Sequence, residues 1–174
     1  VAEWIAEDAD TREKTRKFTL KTGELVTKVK TDHEDKTGKF EMYYDFREPV
    51  CDIPAHRYLA IRRGEKEKIL RVAIEVEEER VLALLAEKWL EDIHADMRSS
   101  IELALQDAYT RLLAPAIETD IRVDVKAIAD DTSIDLFSKN LRQLLLQPPG
   151  VKGVVLALDP GFRTGTKWVI VDNT

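Results

Sequence analysis

Two stretches of this chain concentrate cations densely enough to hold phosphate. From Arg12 to Lys30 there are seven basic residues against two acidic ones, and from Arg57 to Arg71 six against two. Phosphate contacts need clustered Lys and Arg, so Lys17 and Lys21 in the first stretch and Arg62, Arg63 and Lys66 in the second are the expected nucleic-acid-binding residues. The remaining charge works the other way. The net charge is −6, and Val72 to Asp107 carries ten acidic residues against three basic, a surface that repels a phosphate backbone. Contact with nucleic acid is therefore expected to be patchy rather than general.

Other residue types capable of chemistry are scattered. His33, His56 and His94 lie far apart, without the i, i+4 partners of a metal or triad arrangement, and surface or packing roles are expected for them. His56, beside Arg57, is expected to make a structural hydrogen bond that anchors its helix. Cys51 is the single cysteine, cannot form an internal disulfide, and reads as a packing residue. Trp4, Trp89 and Trp168 read as core or interface anchors, because no aromatic ladder alternates with basic residues to stack bases. Nothing in these patterns points to a catalytic set, a metal site or a cofactor.

The elements that must position these residues are mostly helical. Phe18, Leu25 and Val29 share a face, with Val26 beside it, predicting an amphipathic helix over Thr11 to Lys30, weakened by Gly23. A loop from Thr31 to Gly38 and a short aromatic helix from Lys39 to Asp45 follow, broken at Glu48-Pro49. A compact helix is expected from about Pro54 to Arg63, with Asp52 as N-cap and Gly64 as a left-handed C-terminal cap. Alternation at Leu70, Val72, Ile74 and Val76 predicts one half-buried strand over Ile69 to Val76. Two helices that should pack together come next. One carries the stripe Val81, Leu82, Leu85, Trp89 and Ile93, the other Ile101, Ala104, Leu105, Ala108 and Leu112. Pro115 ends or kinks the second and can open a third, whose apolar positions run from Ile117 through Ile128 and resume at Ile134, Phe137, Leu141 and Leu145. Unbroken to Leu146, it would be roughly 48 Å long.

Gln147-Pro148-Pro149-Gly150 is the clearest boundary, since prolines stop the helix and glycine frees the turn. It divides the chain into 1–147, helical, and 148–174, where Val154 to Leu158 and Thr166 to Asp172 read as strands joined by the turn-rich segment 159–165. The fold class expected is mainly α, with long amphipathic helices and one short strand, followed by a β-hairpin. Two strands make no stable sheet by themselves, and the chain does not begin with Met, so it reads as cut from a longer protein. Neither a membrane-crossing run nor a secretion signal is visible, and a cytoplasmic location is expected.

The segment VVLALDPGFRTGTKWVIVD, 154 to 172, resembles the start of the YqgF-type, RNase H-like domain of the Tex family, where an Asp-Pro-Gly turn and Arg-Thr-Gly join two strands. KFEMYYDFREPVCDIPAHRYLAIRRGEKE at 39 to 67, RLLAPAIETDIR at 111 to 122 and NLRQLLLQPPG at 140 to 150 are similar to the central helical region of that family and the linker after it. Tyr44 stands where the family often has Phe. Ala55 replaces a common Ser, so a hydroxyl contact there does not carry over.

The resemblance implies a central helical region followed by the first two strands of an RNase H-like α/β domain. It also implies a function: a scaffold piece of a transcription accessory factor that contacts RNA or DNA, and possible partners such as RNA polymerase, through the full-length protein, the rest of the RNase H-like domain being a further partner. Asp159 matches the first metal-binding carboxylate of RNase H-like nucleases. Two-metal cleavage needs several convergent carboxylates, and the family is regarded as a degenerate, non-nuclease version of the fold, so no metal or catalysis is assigned and Asp159 reads first as a turn residue. Arg163 in the same turn could contact phosphate, or pair with Asp159 or with a neighbouring domain. An active metal-dependent nuclease or junction resolvase, and a pure protein interaction module, are the rival readings.

Overall fold

The computed structural model describes residues 1–30, 38–91, 93–148, 153–163 and 165–172. They fall into two compact units, Val1–Ile134 and Asp135–Thr174. Of the loop expected from Thr31 to Gly38, residues 31–37 lie outside the described residues and Gly38 has a left-handed backbone, φ 61°.

The first unit opens with helices α1 (Ala2–Glu7) and α2 (Ala9–Thr22). Asp8 caps α2, its carboxylate accepting from the Thr11 N–H at 2.8 Å. The helix expected as far as Lys30 stops here instead, and Glu24–Val29 is strand β1. Gly23 permits the change. Its backbone is extended, its N–H closes on the Thr19 carbonyl at 2.7 Å, and a Cβ would stand 2.5 Å from that oxygen. The buried face of α2 is also unexpected: Thr11, Thr15 and Thr19 point inward, and the Thr15 hydroxyl donates to the Thr11 carbonyl at 2.7 Å.

β1 is the centre of an antiparallel sheet ordered β2-β1-β3, with β2 at Asp45–Pro49 and β3 at Leu70–Glu75. The expectation of one short strand before the hairpin is thus corrected to three, of which β3 had been expected. The aromatic helix expected over Lys39 to Asp45 shrinks to a 3₁₀ turn at Glu41–Tyr43. Glu48-Pro49, expected to break it, lies inside β2; this is an edge strand, where proline withholds nothing from the ladder. Leu25, Val26 and Thr27 are all buried, as suits a central strand covered on both faces. On the outer face Val26 is opposite Arg47, whose guanidinium spans from Glu24 to Glu75 at 2.6 Å each.

Helix α3 (Ala55–Lys66) begins at Pro54, whose carbonyl accepts from the Arg57 and Tyr58 N–H groups; Asp52 makes no cap. Gly64 does not end α3. It lies inside it, where a Cβ would come within 2.7 Å of Leu70 Cδ1 and 3.0 Å of Phe40 Cδ1. The left-handed position falls at Lys68, φ 64°. Ile69 N–H donates to the Gly64 carbonyl and Lys68 N–H to that of Glu65, both at 3.0 Å, the paired bonds of a Schellman cap with lysine where glycine is usual. That conformation costs a non-glycine residue roughly 1 kcal/mol.

Helices α4 (Glu78–Trp89) and α5 (Ala95–Asp107) share one core, as expected, through Val81, Leu85, Leu105 and their half-buried neighbours. The Trp89 indole donates to Thr11 Oγ1 at 3.0 Å. α5 passes through a π turn, Ala108–Leu113, directly into α6 (Ala114–Leu145), whose 32 residues match the length expected. Ala114 N–H reaches back five residues to the Tyr109 carbonyl. The register slips just before Pro115, which has no N–H to give. Along α6, Ile117, Ile121 and Ala129 are buried, whereas Ile128 and Ile134 are exposed.

In the second unit, β4 (Val155–Pro160) and β5 (Thr166–Val171) form the expected antiparallel hairpin, closed by Gly161 N–H on the Gly165 carbonyl at 2.9 Å. Every residue of both strands is exposed. No helix among the described residues is long and apolar enough to cross a membrane.

Candidate nucleic-acid interface

Much of the positive charge counted along the chain is committed within the fold. On α2, Arg12 and Arg16 pair with Asp120 and Asp124 of α6, while Lys14 and Lys17 pair with Asp10 and Glu13 one turn back. Lys17 is thus exposed but partnered, and among the described residues Lys21 is the one cation of α2 outside any ion pair. Acidic residues about a hundred positions downstream neutralise what looked like a basic stretch.

The second stretch keeps more of its charge. Arg62, Arg63 and Lys66 line one side of a shallow surface depression with Leu59, and Lys126 of α6 lines the other. Arg57 is drawn away to Glu48 at 2.5 Å, tying the start of α3 to β2. It makes the anchoring contact expected of His56, which is exposed. Arg62 pairs with Glu65, and its buried Nε has no hydrogen-bond partner among the described residues. Lys126 pairs with Asp130 one turn on. Arg63 and Lys66 are exposed and form no ion pair among the described residues. The carboxylates Glu65 and Glu67 share the rim, so the depression suits a bound anion at its cationic side rather than a deep anion pocket.

Beside the depression a half-buried network fixes α3 against α6. Arg122 Nη2 lies 2.6 Å from both carboxylate oxygens of Glu65, and Nη1 reaches Glu118 at 3.3 Å and the Val72 carbonyl at 3.4 Å. The Tyr58 hydroxyl donates to the Arg122 carbonyl at 2.8 Å. Burial opposes the Arg122 charge, but Glu65 and Glu118 outweigh it and hold the guanidinium pKa above its usual value; burial raises the Tyr58 phenol. The bond to Val72 also covers part of the outer edge of β3, an edge otherwise open to pairing with another chain.

Sequence reading missed Arg122 and Lys126. The i+4 spacing of Glu118, Arg122 and Lys126 signals a polar helix face, but their approach to α3 is set by tertiary packing.

Asp159 and Arg163 belong to the second unit. Asp159 is exposed on β4, paired in register with Lys167, and Arg163 is exposed in the turn without an ion pair to Asp159. Among the described residues no three His, Cys, Asp or Glu side chains gather as a metal site. Cys51, expected to pack inside, is exposed in the turn after β2. Trp4 and Trp168 are exposed as well, and Trp89 is half-buried.

Comparison with known proteins places this architecture. A family model described as Tex central region-like matches residues 1–137. The chain is 39% identical to YdcI of Bacillus subtilis over its whole length, covering 24% of that protein. It is 34% identical to the transcriptional accessory protein Tex of Neisseria gonorrhoeae over 99% of the chain and 23% of the relative. To the human S1 RNA-binding domain-containing protein 1 it is 30% identical over the whole chain and 19% of the relative. The chain thus spans about a quarter of the length of its bacterial relatives. The chain belongs to the Tex family, its residues 1–137 matching the central region.

Proposed function

We propose that this chain is a scaffold segment of a nucleic-acid-binding transcription accessory factor, one that works without catalysis of its own. The carrying observation is the family match over residues 1–137, joined to relatives whose names state transcriptional accessory and S1 RNA-binding roles. The scaffold reading is supported by the length of α6, 32 residues or about 48 Å, and by Arg122, which ties its first half to α3. The α3 cations Arg62, Arg63 and Lys66 supply an auxiliary phosphate contact, with Lys17, Lys21 and Arg163 as further candidates. The hairpin β4–β5 opens an RNase H-like domain, with 1–147 and 148–174 as the domain division. RNA polymerase is a partner of the full-length factor, which works in the cytoplasm.

The non-catalytic reading is favoured over a nuclease by the placement of Asp159. Lys167 stands directly across the hairpin from it, and an ammonium there competes with a divalent cation for the carboxylate. Labelled RNA, DNA and four-way junctions incubated with the chain and Mg²⁺ should remain intact; cleavage abolished by Asp159→Ala would establish the nuclease instead. Binding to labelled RNA should be weak and fall steeply between low and physiological salt. Joint neutralisation of Lys17, Lys21, Arg62, Arg63 and Lys66 to Gln should weaken it further, and an unchanged affinity would reject these five as a phosphate patch.

A further inference from the structure

We propose a second, previously unassigned contact for the phosphodiester backbone of a nucleic-acid strand, at the end of the sheet where β1 meets β3, formed by Lys28, Lys30, Lys68 and Arg71. The inference rests on the nucleic-acid-binding reading above and names a different surface for it.

The sheet's own outer face supplies the contrast. At one end Glu24 and Glu75 are cross-strand partners, two like charges, and Arg47 bridges them with both arms of its guanidinium. At the other end Lys28 and Arg71 are cross-strand partners on the same face. Like charges directly opposite are destabilising. Here no bridge exists among the described residues: neither side chain forms an ion pair, and Asp45, the partner of Lys28 on β2, does not reach it. Among the described residues the acidic pair has an internal cation and the basic pair has no counter-charge.

Two more cations converge on the same end. Lys30 N–H donates to the Ile69 carbonyl at 2.8 Å, which sets Lys30 beside the turn holding Lys68. Lys68 occupies the left-handed position of the α3 cap, where glycine would be unstrained. This corner therefore keeps a cation at two places where stability alone favours something else. Residues that oppose stability cluster where function needs them.

Charge and spacing select the ligand. Lys28 and Lys30 are two residues apart along an extended strand, about 7 Å, and Arg71 lies about 5 Å across the ladder from Lys28. Four cations on one corner offer more positive charge than a single carboxylate or free phosphate neutralises. A chain of regularly repeated phosphates can match it. Lys68, in the cap that ends α3, lies in the short connection between that helix and β3.

The test is a fluorescence-polarisation titration of labelled oligouridine against the chain, over a series of salt concentrations. Lys28→Gln/Lys30→Gln/Arg71→Gln should lower the slope of log affinity against log salt by about 2, near 0.7 per lost contact. Its urea midpoint should equal or exceed that of the parent, because a repulsion has been removed. Lys68→Gly should raise the urea midpoint while weakening binding, a combination that misfolding cannot produce. If the parent binds and the Arg62, Arg63 and Lys66 variants lose affinity but the sheet-end variants do not, this site is refuted and the α3 reading stands. A parent that fails to bind at the lowest salt refutes both. Binding of polyglutamate with equal strength and equal sensitivity to these variants would identify an acidic-protein site and overturn the nucleic-acid assignment.

Discussion

Arg122 Nη2 sits 2.6 Å from both carboxylate oxygens of Glu65, joining the long helix α6 to α3 at a point 57 residues apart in sequence. The Arg122 side chain is 19% exposed, so loss of the guanidinium strands a mostly buried carboxylate. Arg122→Ala should destabilise the chain by about 2–3 kcal/mol in urea unfolding. Arg122→Met combined with Glu65→Leu should recover part of that loss. A single substitution with no measurable effect would remove Arg122 from its role as the clamp.

Gly64 gives a prediction of opposite sign to helix propensity. Replacing glycine by alanine inside a helix ordinarily gains up to about 1 kcal/mol. Here the new methyl would meet Leu70 Cδ1 at 2.7 Å in a buried position, and overpacking of this kind costs about 1–3 kcal/mol. Gly64→Ala should therefore lower the thermal midpoint. An increase would mean that Leu70 yields more easily than the packing suggests.

Asp8 links α2 to α4 and should make stability pH-dependent. The hydrogen bond from Lys88, followed by those from Thr11, lowers its pKa from the ordinary 3.8 to about 2. Because the folded value lies below the unfolded one, the stabilisation is complete above pH 3.8 and disappears as pH falls through about 2. Urea midpoints measured at intervals from pH 5 to 2 should drop less steeply in Asp8→Asn than in the parent. Parallel profiles would show that the Asp8–Lys88 contact is not formed in solution.

The hairpin β4–β5 should be the least protected ordered element. Both of its faces are exposed, with Trp168 68% and Leu158 63% accessible, and isolated hairpins are marginal in water while uncovered apolar strands pair with other chains. Its amides should exchange rapidly in dilute solution and gain protection as concentration rises or when a separate polypeptide supplies the rest of the domain. Strong protection in a strict monomer, with no contact to the helices, would contradict its reading as the opening of a larger sheet.

How much of this was legible in the residues depended on whether the deciding contacts were local. The alternation at Leu70 to Ile74 announced β3, and Pro148 with the apolar runs on either side of Asp159 announced the end of α6 and the hairpin. β1 was hidden because Leu25 and Val29 fit a helical face as well as a strand, and only pairing with Phe46 and Val72 resolves the ambiguity. β2 was hidden because Asp45-Phe46-Arg47-Glu48-Pro49 is charged and ends in proline, acceptable only at an edge. The buried Thr11, Thr15 and Thr19 carry no hydrophobic signal. At the site, Arg62, Arg63 and Lys66 could be grouped by sequence proximity, whereas the neutralisation of Arg12 and Arg16 by Asp120 and Asp124 could not be read without the fold.

The π turn at Ala108–Leu113 settles a question of phase. At about 100° per residue, the twelve steps from Leu105 to Ile117 would turn those two side chains about 120° apart on an uninterrupted α-helix. A π turn takes up about one extra residue, leaving the angular offset near 20°. That is how Leu105 and Ile117 both come to be buried in one core although the sequence spaces them for different faces. The continuous helix from α5 into α6 thus works as a phase-corrected shaft. A one-residue deletion within Ala108–Leu113 should be tolerated, since it removes the bulge and keeps the phase, whereas the same deletion between Ile117 and Ile121 would rotate everything beyond it away from the core.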